Sequence, residues 1–544
     1  MAGTPHTLTQ RPPSLAPYDV YGTDPVLVDA VGRHLAPEHR DEAHAALSEL
    51  GRSAGSVQVR EWAVQAEGNP PRLRTHDRYG NRVDEVDFAP AWHRLLGKGV
   101  GAGLTRGWSE PGGQVRRAAG FLVWSQVDAG ACGPLSTTYA AVPALRTESG
   151  LAAEWEPALT SGLYERELGP VAGKGGALVG LAVAERAGSD DGALTTVARP
   201  LAEPGAYELT GLKWFCSAPM SDGFLVLARA AEGPTCFLVP RVLADGSRNR
   251  FPLRRLKDKP GNRSDASAEV EFAGTWARRV GAEGRGVRVL AATVEALRLD
   301  RVLGSAGLMR QAVVQAVHHC AHREVSGSAL LDRPLMRGVL ADLALESEAA
   351  TVLALRLAAA SDDGGERERA LLRIAGPAAK YWVTKRCPPV VTEAAECLGG
   401  DGYVEESGLP RLVREAPLNA LREGPGNVQA LEVLRALQEP AALDAYLREV
   451  ALARGADHRL DAAIKDLLTE LADLAGAHAR ARRLAERFAL VLQGALLVRF
   501  APPEVADAFC ASRLGGDAGM TFGGLPHTLD LGAVVERARV VPEG

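Results

Sequence analysis

The chain has 544 residues, 46% of them hydrophobic and 24% charged, with a formal net charge of −5. This is the balance of a soluble globular protein with room for three or four domains of ordinary size. It gives no whole-chain charge argument for binding nucleic acid or an anionic membrane, so any such binding needs a local patch.

The first twenty or so residues are rich in proline and lack the apolar core of a signal peptide. From about 24 to 175 the pattern is mainly helical, with a strongly apolar helix expected over 117–130. A connecting loop rich in Pro, Arg and Asp is expected over 69–93, with Tyr79, Phe88 and Trp92 available to anchor it. Near 178 the pattern changes. Short segments at 178–185, 206–215, 223–230, 235–240 and 268–272, most of them separated by turn residues, predict an antiparallel β domain of about a hundred residues. After about 286 the helical period returns over 289–323, 335–360 and 370–387, the pattern of a helical bundle. The charged piece 362–369 reads as a solvated loop between two of these helices. Beyond Pro440 a further helical block runs to about 500, and an irregular tail ends in a short helix near 531–539. The apolar run 488–500 is too short to span a bilayer. The domain boundaries that follow are 1–177, 178–285, 286–440 and 441–544: a mainly α protein with one small antiparallel β domain. Cysteines at 132, 216, 236, 320, 387, 397 and 510 are scattered, odd in number and without a CxxC pair. That suits a reducing cytoplasm better than a disulfide framework or a zinc site.

Four short stretches are candidates for chemistry. AERAGSDDG over 184–192 ends an apolar strand, and such a loop offers backbone N–H groups and a hydroxyl to an anion or a polar ring, although most are only turns. GLKWFCSAP over 211–219 sets an aromatic pair before Cys-Ser, which walls a flat ring or else serves as ordinary core. In 397–415, Gly399, Gly400 and Gly402 allow close backbone approach or simply make a turn. LREGPGNVQ over 421–429 isolates Glu423 on a kink before a helix. There it is either a partner of the helix dipole or a base aimed into a pocket. His318, His319 and His322 have a spacing that metals use, but they fall at a helix end where imidazoles are favoured, and no metal site is assigned.

In this order, the four stretches resemble the acyl-CoA dehydrogenase flavoprotein family, and most closely its AidB-type branch of adaptive alkylation-response proteins. The likeness is also carried by 75–93, 254–272, 396–415 and 422–435, and by the length of the block beyond 440. It covers nearly the whole chain and is most specific from about 178 to 435. The resemblance implies an acyl-CoA dehydrogenase-like fold with a C-terminal helical extension, bound FAD, an acyl-CoA-like thioester substrate and a homotetramer. It places Ala184, Glu185 and Ser189 in the loop that touches the flavin, with Ala184 where the family has Thr. It places Phe215, Cys216 and Ser217 on the strand at the flavin N5/O4 edge, and Arg323 on the FAD diphosphate. Gly399, Gly400 and Gly402 take the Gly-Gly-x-Gly turn, and Asn427 the loop that closes over the flavin. Glu423 takes the place of the catalytic base, in an apolar pocket, with Pro425 where Thr or Ser is usual. Two other readings stay open: a DNA-associated stress protein with little dehydrogenase activity, and a specialised biosynthetic flavin oxidase.

The AidB-type branch implies duplex DNA binding through the C-terminal block. Residues 451–544 hold eleven Lys or Arg against twelve Asp or Glu, so the block is near neutral. Arg480, Arg483 and Arg487 share one helical face, and Arg499 and Arg513 are candidate additions to it. Such a stripe is either a sequence-independent phosphate contact or a solvated helix flank.

Overall fold

The computed structural model describes residues 12–186, 194–473 and 475–540. The chain divides into two units: Gln58–Gly113 with Val127–Asp300, and Met1–Val57 with Gln114–Gln126 and Arg301–Gly544.

The first of these contains the β domain. Its spine is β5 (Ala206–Ser217) paired antiparallel with β9 (Ser267–Val280), from Ala206 opposite Arg278 to Ser217 opposite Ser267. With β3 (Val179–Ala182), β4 (Val197–Pro200), β6 (Gly223–Ala230), β7 (Gly233–Pro240) and β8 (Leu253–Leu256), the sheet runs β3-β6-β4-β5-β9-β7, and β8 pairs with β9. An added β6–β7 pairing closes it on itself. The expected antiparallel sheet needs one correction, because β3 pairs parallel with β6 and a single parallel bridge joins β4 to β6.

Alternation along these strands sends one set of side chains inward. Phe224, Phe237, Phe251 and Phe272 form the centre of that core, with the Phe224 and Phe251 rings stacked 4.5 Å apart. A second core lies between β3, β6 and β7 and the helices Cys132–Leu145 and Ser149–Thr160, where Leu145, Leu151 and Trp155 meet Val179, Leu225 and Leu238. The stretch 69–93 is not a plain connector. It forms a hairpin of β1 (Arg72–His76) and β2 (Arg82–Asp87), then enters the helix Pro90–Gly101. Leu73, Val86 and Phe88 tie it to the inner core, Trp92 is buried, and Tyr79 stands exposed at the turn.

The second unit is helical. The helix Ala291–His322 passes into it at Arg301 and is followed by Pro334–Asp363 and Glu366–Glu396. The charged stretch 362–369 therefore lies mostly within helices. Only Gly364 and Gly365 break them, and Gly364 takes a positive φ of 61° that ends the first helix. Beyond these come Gly426–Ala436, Pro440–Ala451, His458–Ala472, Ala477–Phe500, Pro503–Phe509 and Leu531–Ala538. Arg356 ties the later block to the bundle. It donates to Glu368 (2.7 Å) and to Glu449 (2.8 Å), and Glu449 also accepts from Arg499 (3.0 Å). All seven cysteines are buried and unpaired. Among the described residues no helix is long and apolar enough to cross a membrane.

Removing one partner of a buried ion pair leaves the other charge stranded. Arg356→Met is expected to destabilise the protein by about 3–5 kcal/mol, read as a lower urea midpoint in circular dichroism.

Candidate functional site

Glu423 has the backbone of a left-handed turn, φ +51°, which side chains other than glycine and asparagine seldom adopt. Such a conformation costs about 1–3 kcal/mol and persists only where its surroundings hold it. Three side chains do so. Gln429 Nε2 donates to the carbonyl oxygens of both Glu423 (2.8 Å) and Gly424 (2.9 Å). Lys380 Nζ donates to the Gly424 carbonyl at 2.6 Å. Arg301 Nε donates to Glu423 Oε2 at 2.7 Å, and both side chains are largely covered, 7% and 11% exposed.

The Glu423 side chain bonds to Arg301 and gives no cap hydrogen bond to the helix that follows. The following helix, Gly426–Ala436, has Pro425 as its N-cap and receives no side-chain cap hydrogen bond. The carboxylate is therefore committed to Arg301 rather than to the helix end. The expected apolar pocket is corrected too, because a guanidinium faces the acid. Arg301, Lys380 and Gln429 were not singled out in the sequence. The available signal was a charged pair, Asp300-Arg301, within the long helical pattern, and a lone Lys380 between Ala379 and Tyr381.

The predicted loop and strand residues of the sheet lie in the other unit. Phe215 is 46% exposed on β5, Cys216 is buried beside it, and Ser217 Oγ makes a long 3.4 Å hydrogen bond to the Leu181 carbonyl. Ala184 forms a bridge with Phe215, its carbonyl accepting from Trp214 N–H at 2.9 Å. Glu185 differs from expectation, since its side chain is fully engaged inside the sheet. It accepts from Lys213 Nζ (2.6 Å), from the Thr195 hydroxyl (2.5 Å) and amide (2.6 Å), and from Thr196 Oγ1 (2.6 Å). Glu185 and Lys213 are 1% and 0% exposed. Burial alone pushes the carboxyl up, but the bonds from Lys213 and the two threonines outweigh it and hold Glu185 down at about 2. Ser189 lies outside the described residues.

The remaining predicted residues are in the helical unit. Arg323 closes the helix Ala291–His322, and its guanidinium has no partner among the described residues. Gly402 makes its close approach to the protein itself, since a Cβ there would lie 2.0 Å from the Ala395 carbonyl oxygen. Gly399 supplies a positive φ of 61°, and Gly400 has open space around it. Asn427 is exposed and accepts from Arg482 at 2.7 Å. His318 and His322 sit at the helix end as expected, bonding the carbonyls of Pro13 and His318. Among the described residues no cluster could hold a metal ion.

Two of the five candidate arginines do not join the stripe. Arg513 is buried against Asp342 and Glu346, and Arg499 turns inward to Glu449. Arg483 and Arg487 both pair with Glu470, at 2.8 and 3.2 Å. Arg480 donates to the carbonyls of Asp473 and Ala475. Each guanidinium has an acceptor within the protein, which opposes the clustered positive excess that phosphate binding requires.

Three family models match the chain: the adaptive response protein AidB N-terminal domain over residues 10–166, the acyl-CoA dehydrogenase middle domain over 180–275 and the acyl-CoA dehydrogenase C-terminal domain over 284–438. The chain is 39% identical over 522 residues to AidB of Escherichia coli strain K12, with 95% of each covered. The crystal structure of Caenorhabditis elegans ACDH-11 in complex with C11-CoA matches with a TM-score of 0.86 at 26% identity, covering 93% of each chain. An acyl-CoA dehydrogenase of Bacillus anthracis solved with FAD shares the fold at a TM-score of 0.66 and 18% identity, over 90% of this chain and 85% of that one.

Glu185 is ionised in the fold well below the ordinary carboxyl range, so its contribution is present above about pH 4.5 and is lost as pH falls through about 2. Lys213→Met is expected to cost about 3–5 kcal/mol near neutral pH. Urea titrations across the acid range check this. The gap between wild type and variant should narrow as Glu185 takes up its proton.

Proposed function

The chain belongs to the acyl-CoA dehydrogenase family, in the branch of the AidB adaptive-response proteins, and on that premise we propose that it oxidises an acyl thioester with FAD, using Glu423 as the base. The observation that carries the proposal is the backbone of Glu423, a left-handed turn at a non-glycine residue, held by three separate donors. Strain of this kind collects where geometry serves chemistry.

The residues fit the cofactor that the family uses. Phe215 leaves a large apolar ring open on β5, Ser217 has a hydroxyl that is only weakly engaged, and Arg323 offers a guanidinium to a diphosphate. Gly399, Gly400 and Asn427 complete this reading, with Ala184 contributing backbone only. When bound, FAD supplies the acceptor for the hydride that leaves the β-carbon of the thioester. The protein's own part is proton transfer and positioning. A carboxylate oxygen of Glu423 takes the proton from the α-carbon, leaving the electron pair to form the new double bond. Arg301 fixes the direction of the carboxylate, which keeps the base in one geometry between turnovers. Lys380 and Gln429 fix the peptide that carries it. The Glu423 amide has no acceptor among the described residues and is the natural donor to the thioester oxygen as negative charge develops there.

The substrate is an acyl-CoA-like thioester. A homotetramer and a cytoplasmic location belong to the same proposal, on the strength of the family likeness. Sequence-independent duplex DNA binding and a part in the response to alkylation gain no support from the arginine positions and remain the secondary reading. A specialised oxidase on this scaffold would keep Glu423 as the base and differ in using dioxygen as the electron acceptor.

Anaerobic titration with isovaleryl-CoA or butyryl-CoA tests the proposal. The flavin band near 450 nm should bleach, and Glu423→Gln should slow the bleaching by about 10²–10⁴-fold. No bleaching with either ester, or equal rates in the variant, contradicts it.

A further inference from the structure

Asn427 stands in the first turn of the helix Gly426–Ala436, two residues before the Gln429 that holds the carbonyls of Glu423 and Gly424. Pro425 gives that turn no side-chain cap. Other elements pin it instead. A Cβ at Gly426 would lie 2.7 Å from Lys385 Cε, so the turn rests on the helix Glu366–Glu396. The C-terminal block reaches the same turn, where Arg482 Nε donates to Asn427 Oδ1 at 2.7 Å. We propose that Arg482 is a positioning residue of the flavin site, turning the Asn427 carboxamide so that only its NH2 group is offered to FAD. The proposal rests on the reading above that Asn427 meets the cofactor.

Donor and acceptor counts fix the direction. A guanidinium can only donate, whereas a carboxamide carries an acceptor oxygen at one end and a donor nitrogen at the other. The two ends are alike in shape, so an exposed Asn that nothing holds presents either one. Asn427 is exposed. Bonded to Arg482, it keeps its oxygen on the guanidinium, and Nδ2 is left with no acceptor among the described residues. FAD is rich in acceptors, in its diphosphate oxygens and its ring carbonyls. An amide locked as a donor suits them. One free to flip would spend part of its time with an oxygen facing another oxygen.

The neighbouring arginines are used differently. Arg480 donates to the carbonyls of Asp473 and Ala475, and Arg483 pairs with Glu470, all within the C-terminal block. Arg482 instead reaches a residue 55 positions earlier in the chain. Its helix, Ala477–Phe500, is a firm base. Leu484 and Phe488 are fully buried, and the Tyr446 hydroxyl donates to the Phe488 carbonyl at 2.7 Å. Arg482 also lies beyond residue 438, where the match to the acyl-CoA dehydrogenase C-terminal domain ends. The block that lengthens this chain thus gains a part in the flavin site.

Titration of the deflavinated full chain with FAD, followed by quenching of flavin fluorescence, reads this without any turnover. Arg482→Met should weaken FAD by about three- to fivefold, the effect of an amide no longer held in one orientation. Asn427→Ala removes the donor and should weaken FAD by about three- to tenfold. In the double variant the loss should match that of Asn427→Ala alone, because Arg482 acts only through Asn427. Thermal melting identifies a variant that fails to fold, and Arg482→Ala then stands in for Arg482→Met. Unchanged FAD affinity in either folded single variant overturns the proposal. Losses that multiply in the double variant also overturn it, since they place Arg482 on the cofactor itself or in the general support of the fold. Wild-type protein that takes up no FAD overturns the flavin reading as well, whereas uptake with equal affinity in Arg482→Met overturns this inference alone.

Discussion

The central constraint is one ion pair on one strained peptide. Glu423 holds a backbone conformation that its own side chain disfavours, and Arg301, Lys380 and Gln429 hold it there from three helices. These donors differ in kind. Arg301 aims the carboxylate, whereas Lys380 and Gln429 bind carbonyl oxygens and so aim the chain. A base aimed twice loses little entropy when it reacts, which is the condition proximity catalysis requires. The flanking Gly424, at φ +90°, and Pro425 make the kink possible. The bundle helices Ala291–His322 and Glu366–Glu396 supply Arg301 and Lys380 from positions far apart in sequence.

The β-domain unit uses the same physics for a different end. Glu185 and Lys213 are fully covered and pinned by two threonines, joining the end of β3 to β5. Next along β5, Phe215 is left open. A rigid polar knot beside an exposed flat ring is how a sheet presents a wall without letting it move. Glu185 therefore serves the strand that carries Phe215 and Ser217 rather than meeting a ligand through its own side chain.

The sequence was most legible where a periodic pattern coincides with burial. Strands β5, β6 and β7 alternate or run apolar and were located closely, as was the long helix ending at His322. Strands β4 (VARP) and β8 (LRRL) were missed because they are four residues long and half polar. The hairpin β1–β2 was missed because its faces are lined with Arg, Asp and Glu. Those charges pair across the strands, Arg74 with Glu85 and Asp87, and so stabilise a hairpin with little apolar signal. The charged stretch 362–369 misled in the opposite way, since solvated charges sit on helix ends as readily as in loops. The site divides similarly. Glu423 was legible from its kinked loop and the family likeness, but its three holders were not, because each comes from a distant segment or bonds only backbone. The arginine stripe shows the limit most sharply. Helical spacing gave the side of Arg480, Arg483 and Arg487, but the acceptor of Arg513 is Asp342, far back in the chain.

Proton abstraction by Glu423 can be observed without any net oxidation. Incubated in heavy water with isovaleryl-CoA, the protein should wash deuterium into the α-carbon of the recovered thioester, seen by mass spectrometry. Glu423→Gln should abolish that exchange while leaving the thioester bound. Exchange that persists in the variant, or wild-type protein that binds the thioester and returns it unlabelled and unoxidised, would contradict the account.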